Sequence, residues 1–316
     1  MDTPVLMIVY RRPHTTRRVL AALAEARPRR LFVSANGPDP SRLDDAARCQ
    51  EVRSLFDNLP WPCEVVRCFR TEHLRAKYSI ASAIDWFFGQ VEEGIILEDD
   101  CETHATFFPF CAELLARYRN DERVMHINAN TFQDAAPAGA PSYFFSAYSH
   151  VWGWATWRRA WKRNDLEMSE MTRAEIARSL AGRFPRRIEQ WYWTNILCGC
   201  LRDHFETWDF QWGFAIVKHG GLSITPRVNL VRNLGFGADS TNTQSANSSM
   251  ANLEVQPMVF PLVHPTTFEI DQQADRRTSE RLFHITWLSV IRAWLSSHSP
   301  LSVKKPLKRL KGRLGL

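Results

Sequence analysis

Gly94-Ile95-Ile96-Leu97-Glu98-Asp99-Asp100 joins a short apolar run to three consecutive carboxylates. A run of this kind reads as a parallel strand buried on both faces, and such strands end at the carboxyl edge of an open α/β sheet, where the ligand crevice lies. The three acids are therefore expected to face that crevice. Clustered carboxylates repel one another, and a divalent cation relieves the repulsion; an all-oxygen donor set suits Mg²⁺ or Mn²⁺. The competing reading is a solvated acidic turn in which Asp99 or Asp100 caps the next helix.

Strand and helix signals alternate on both sides of this stretch. Val5 to Tyr10 reads as a buried strand, followed by a helix capped by Thr15 or Thr16 and running to about Ala26. Leu31 to Ser34 is a second strand, closed by the turn Asn36-Gly37-Pro38; a polar helix from about Ser41 and a strand over Cys63 to Phe69 come next. Ile80, Ala83, Ile84, Phe87, Phe88 and Val91 recur at helical spacing and mark one apolar face leading into Gly94. After the acids, Phe107 to Tyr118 carries another apolar stripe and Val124 to Asn128 another strand. This alternation predicts a doubly wound, mostly parallel sheet. Beyond an Ala/Pro-rich loop at 133–142, tryptophans crowd the chain at 152, 154, 157, 161, 191, 193, 208 and 212. Most are expected in an aromatic core, with one or two flanking a crevice and stacking on a sugar ring.

The chain has 316 residues, 45% of them hydrophobic, enough for one large domain or two intimate subdomains. Its net charge of +6 is local. Lys304, Lys305, Lys308, Arg309, Lys311 and Arg313 stand in an acid-free terminus, and without them the basic residues equal the 34 acidic ones. A neutral body argues against nucleic acid as a partner. The seven cysteines lack paired Cys-x-x-Cys spacing and read as reduced, mostly buried thiols. The first apolar run is too short for a signal peptide, and no stretch has the length of a membrane-spanning helix. A cytoplasmic protein is expected.

Four further groups carry potential chemistry. Arg11-Arg12 follows the first strand at the edge facing the ligand, where a guanidinium pairs with phosphate; for Arg11 a solvated position is as good a reading. Asn36-Gly37 ends the second strand at the same edge, to bond a base or simply to turn. Trp208-Asp209-Phe210-Gln211-Trp212 holds one carboxylate among bulky apolar groups, which raises a carboxylate pKa and suits a proton acceptor; a helix cap is the plain alternative. Asn233 to Thr241, with Gly235 and Gly237, is a polar loop able to fold over a ligand. No Gly-x-Gly-x-x-Gly turn, Walker loop or Gly-x-Ser-x-Gly elbow is present, which disfavours dinucleotide oxidoreductases, P-loop enzymes and α/β-hydrolases.

At these residues the sequence resembles the GT-A glycosyltransferases, and within them the N-acetylglucosaminyltransferase I family and its bacterial nucleotide-diphospho-sugar transferase relatives, over roughly residues 4–265. Ile96-Leu97-Glu98-Asp99-Asp100 with Phe107-Phe108 looks like the family's acidic metal motif. The resemblance implies that Asp100 binds Mn²⁺ or Mg²⁺, that Asp99 lies near the ribose and metal, and that Glu98 contacts the donor sugar. Arg12 matches the family arginine near the diphosphate. Asn36 stands where the family usually places an Asp against uracil. His150 to Trp157 is typical of the bacterial branch, with Trp154 on the donor side. The Trp208 to Trp212 segment resembles the region supplying the catalytic base, although the eukaryotic motif has two adjacent acids where this chain has only Asp209. Asn233 to Thr241 resembles the loop that orders over bound donor, through Gly235 and Gly237.

These readings together predict an α/β, GT-A (Rossmann-like) fold with a mostly parallel sheet flanked by helices. Its nucleotide-sugar half is residues 1–130, its intimately packed acceptor-side half 131–275, and its basic helical tail 276–316. The implied activity is metal-dependent, inverting transfer of a sugar such as GlcNAc from a UDP-sugar to a glycan, lipid-linked or protein acceptor. A sugar-nucleotide nucleotidyltransferase and a non-catalytic carbohydrate-binding protein are the rivals. Leu282, Ile285, Leu288 and Trp294 ahead of the basic residues predict peripheral attachment to an anionic membrane, at the inner face of a bacterial membrane, with a solvated tail as the alternative.

Overall fold

The computed structural model describes residues 1–135, 137, 139–202, 205–235 and 253–298. The chain opens as β1 (Val5–Val9), α1 (Pro13–Ala26), β2 (Arg30–Ala35), α2 (Asp45–Ser54), β3 (Glu64–Phe69), α3 (Ala76–Phe88) and β4 (Glu93–Glu98). It continues with β5 (Cys101–Thr103), α4 (Phe107–Arg117), β6 (Val124–Asn128), β7 (Tyr143–Ser146), β8 (Trp154–Trp157), α5 (Arg158–Trp161), α6 (Arg173–Ala181) and α7 (Arg187–Leu201). The last described elements are α8 (Asp209–Lys218), β9 (Leu222–Pro226), β10 (Val231–Asn233), α9 (Gln272–Arg281) and α10 (Trp287–His298).

Eight strands form one sheet in the order β3-β2-β1-β4-β8-β6-β9-β7. The first four are mutually parallel, β8 runs antiparallel between β4 and β6, and β9 is parallel to β6. This is the mixed, mostly parallel α/β sheet flanked by helices that the strand-helix alternation predicts. Side chains alternate across a strand, so Val5, Met7 and Val9 pack with Leu23 of α1 and the Phe107 to Leu115 stripe of α4. Leu6 and Ile8 face the other way, onto Ile84 and Phe87 of α3, Trp154 and Trp212. Burial on both faces is why β1 and β4 read as unbroken apolar runs. A third cluster joins α6, α7 and α8 through Ile176, Leu180, Trp193, Leu197 and Phe214. The sheet itself runs through both parts of the chain, since β8 inserts beside β4.

Two helix starts differ from expectation. Thr15 and Thr16 do not cap α1; their hydroxyls donate to the Arg12 carbonyl, and the helix begins with Pro13, whose fixed φ and missing N–H suit a first position. The polar helix begins at Asp45 rather than near Ser41. Neither Asp99 nor Asp100 caps a helix: β5 follows them directly, and α4 starts after Thr106. The seven cysteines are unbridged and five are buried.

Among the described residues no helix is long and apolar enough to cross a membrane. Gly237, with the rest of 236–252, and the basic residues from Lys304 onward lie outside the described residues.

Candidate functional site

The parallel register sets the site. Val5 pairs with Leu31 and Ile95, and Ile8 lies opposite Glu98, so the residues just past β1 meet those just past β4. The Tyr10 amide donates to Asp99 Oδ2 at 3.2 Å. Arg12 bridges the two following acids, with Nη1 2.7 Å from Asp100 Oδ2 and Nη2 on Asp99 Oδ1. Burial opposes the Arg12 charge, but Asp99 and Asp100 outweigh it and raise its pKa further. Arg11 turns elsewhere, pairing Asp44 at 3.1 Å and buried Asp45 at 2.5 Å.

Arg12, Asn36, Glu98, Asp99, Asp100, Asp209 and Gly235 all line one cavity of about 310 Å³ at this carboxyl edge. The acids differ in availability. Asp99 is 2% exposed and gives both oxygens to Tyr10 and Arg12. Asp100 keeps more of its carboxylate open to the cleft, with 13% of its side chain exposed. Burial, with Asp100 nearby, pushes the Glu98 carboxyl up to about 8. Asp209 is the first residue of α8, where its carboxylate accepts from the Thr207 hydroxyl. Burial raises its pKa above the ordinary carboxylate value, against the pull of Thr207.

β10 lies antiparallel to β5, directly behind the acids, and the Leu234 amide donates to the Asp100 carbonyl at 2.7 Å. This brings Gly235 against Asp100. A Cβ there would fall 2.2 Å from Asp100 Oδ2, so any larger residue would force the Asp100 carboxylate to move. Asn36 lines the cleft, but its amide is engaged: Oδ1 accepts from Gly37 and Leu74 amides at 3.0 and 3.1 Å, and Nδ2 donates to the Leu74 carbonyl at 2.8 Å. It clasps the 72–74 segment.

Trp154 stands apart from the cleft lining. It is 1% exposed, stacked on His126 at 4.9 Å and on Trp208 at 5.9 Å. Trp208 and Trp152 reach the cleft instead. Lys77, also in the lining and 2% exposed, lies outside the motifs that the sequence singles out. Its signal was available: it precedes Ile80 and Ile84 at helical spacing, a cation on an otherwise apolar face.

The residues present fit a cation held by few protein ligands. Among the described residues no three His, Cys, Asp or Glu side chains form a cage. Asp100, partly exposed to the cleft although its Oδ2 is paired with Arg12, is the strand-end acid best placed for Mg²⁺ or Mn²⁺, which are commonly bound by one or two carboxylates plus substrate phosphates.

No protein-family model and no curated protein matches the chain. Among solved structures it is similar to S. aureus TarS 1–349, at 8% identity and a TM-score of 0.39, covering 73% of this chain and 59% of that one. It is also similar to a Pyrobaculum calidifontis mannosyltransferase in complex with GDP-Man and Mn²⁺ (14% identity, TM-score 0.38, covering 69% of this chain and 70% of that one). An apo UDP-glucose pyrophosphorylase matches at 6% identity and a TM-score of 0.38, covering 72% of this chain and 90% of that one.

Proposed function

We propose that the chain is a metal-dependent, inverting GT-A glycosyltransferase that takes a sugar from a UDP-sugar, with UDP-GlcNAc the first donor to test. The observation that carries this reading is the convergence of Arg12, Glu98, Asp100 and Asp209 on one cleft at the carboxyl edge of β1 and β4. Asp100, with the donor's diphosphate, would hold Mn²⁺ or Mg²⁺, which supplies charge neutralisation for the departing diphosphate. Arg12 pairs with phosphate oxygens. Glu98 contacts the donor sugar, and Trp154 acts through Trp208. Asp209 takes the acceptor's hydroxyl proton as that oxygen bonds to the anomeric carbon. The anomeric carbon–oxygen bond breaks on the opposite face, its electron pair leaving with the diphosphate, so configuration inverts.

The membership in the N-acetylglucosaminyltransferase I family that the motifs suggest is part of this proposal. The nucleotidyltransferase rival is less well supported, because the turn after β1 is Arg11-Arg12-Pro13 rather than a Gly-rich loop. The same proposal places the protein on the cytoplasmic face of an anionic membrane, with a glycan, lipid-linked or protein acceptor. In support, α10 packs on α7 yet exposes Trp287 (64%), Leu288 (67%) and Ile291 (53%), and it leads toward the six basic residues of the terminus.

The test is calorimetric titration of UDP with Mn²⁺ into the parent and Asp100→Ala. Metal-dependent binding to the parent and its loss in the variant, with an unchanged melting temperature, is the expected result. Equal binding by both would remove Asp100 from the metal site.

A further inference from the structure

A second cavity, of about 190 Å³, adjoins the cleft: Val151, Trp152 and Asp209 line both. Nothing in the donor-side chemistry uses it. Its wall is mostly aromatic and aliphatic, including Tyr148, Phe184, Trp193, Phe210, Phe214 and Phe283. Phe283 stacks on Tyr148 at 5.4 Å and meets Trp193 edge-on at 4.7 Å, so the segment between α9 and α10 closes one side. Polar groups are few. His150 lines the cavity and burial pushes its imidazole down to about 3, so it is neutral at any ordinary pH and adds no charge. Asn130, 1% exposed, also lines the cavity, and among the described residues its Oδ1 has no hydrogen-bond partner.

We propose that this cavity is the acceptor site, and that the acceptor carries its reacting hydroxyl next to an apolar aryl or alkyl body that fills the pocket. The inference rests on the reading of Asp209 as general base. A bare sugar ring would bring several hydroxyls to a wall offering few partners, and each unpaired hydroxyl costs free energy. An apolar body has no such need and gains from leaving water. The hydroxyl itself lies beside Asp209, which lines both cavities and removes its proton. The oxygen then bonds to the anomeric carbon while the diphosphate leaves with the electron pair of the broken bond.

Gly213 gives a way to block the pocket without touching the donor cleft. It lies in α8, lines this cavity and not the other, and a Cβ there would stand 3.1 Å from Ser149 Oγ. Ligand-observed NMR titrations of 2-naphthylmethanol, 1-octanol and methyl β-D-glucopyranoside are carried out on the full chain, on Gly213→Leu and on Phe283→Ala. Titration of UDP with Mn²⁺ runs in parallel. The expected result is that one or both apolar alcohols bind the parent at least tenfold more tightly than the glucoside. Gly213→Leu then weakens that binding at least tenfold while UDP binding is unchanged. Preference for the naphthyl or the octyl probe distinguishes an aryl from an alkyl acceptor. If Gly213→Leu fails to fold, weakened alcohol binding by Phe283→Ala decides in its place. Equal alcohol binding by parent and variants, tighter binding of the glucoside, or no alcohol binding to the parent overturns the proposal. Absence of UDP binding to the parent would instead count against the donor cleft, leaving the alcohol titrations to judge the pocket.

Discussion

Asp209 is the residue on which the proposed chemistry turns, because it lines both cavities and opens α8 beside Thr207. Asp209→Asn keeps the shape and a hydrogen-bond acceptor but cannot take a proton. Turnover of a nucleotide sugar in the presence of acceptor is expected to fall by a factor on the order of 10² to 10⁴, with donor affinity nearly unchanged. The pH dependence has a definite sign. Burial raises the Asp209 pKa, and a base works only when deprotonated, so the rate should fall on acidification at a pH above the ordinary carboxylate range. A variant with near-normal turnover would transfer the role to Glu206, which also lines the cleft.

Among the elements, α9 has the clearest anchor. Asp275 is 5% exposed and accepts from the Ser146 hydroxyl at 2.5 Å and the Ala147 amide at 2.8 Å, tying the helix to the end of β7. Burial pushes its carboxyl up to about 7, only partly countered by the Ser146 hydrogen bond. A carboxyl whose folded pKa exceeds its unfolded value stabilises most at low pH, and that contribution is lost as pH rises through 7. Asp275→Ala leaves two buried donors without a partner, and urea unfolding should show a loss on the order of 2–4 kcal/mol at pH 5 and a smaller one at pH 8. A loss that does not depend on pH would mean that the carboxyl titrates alike in the folded and unfolded chain. Since α9 leads to Leu282 and Phe283, the same substitution should also loosen the wall of the apolar cavity.

For the whole molecule, the exposed apolar face of α10 is the feature that bears on membrane attachment. Trp191 of α7 stands 60% exposed and meets Trp287 edge-on, extending the apolar row onto a second helix. Basic residues near an anionic surface contribute about 1 kcal/mol each, and exposed aromatic and aliphatic groups insert at the headgroup boundary. The intact chain should co-sediment with anionic vesicles at low salt and less at high salt. A chain ending at Ser299 should lose most of the salt-sensitive part. Substitution of Trp287, Leu288 and Ile291 by Ser should lower binding at both salt concentrations. Equal sedimentation by all three proteins, or by none, would remove membrane attachment.

The sequence by itself determined the strands whose signals are local. β1 and β4 are buried on both faces and so appear as short apolar runs, and the acids ending β4 could only fall at the carboxyl edge. The pairing of Arg12 with Asp99 and Asp100 follows from the same edge, once β1 and β4 are neighbours. Only the tertiary structure decided which tryptophans reach the cleft. Trp152, Trp154 and Trp208 carry the same side chain in similar company, yet Trp154 lies on β8, which packs antiparallel between β4 and β6 and turns its ring onto His126. The same holds for Asn36, whose amide is consumed by Leu74, and for Lys77, whose ammonium is drawn to Glu167 at 3.0 Å. Periodicity and strand ends are read along the chain, whereas the direction of a polar or aromatic side chain depends on partners far away in sequence, and only the folded packing supplies them.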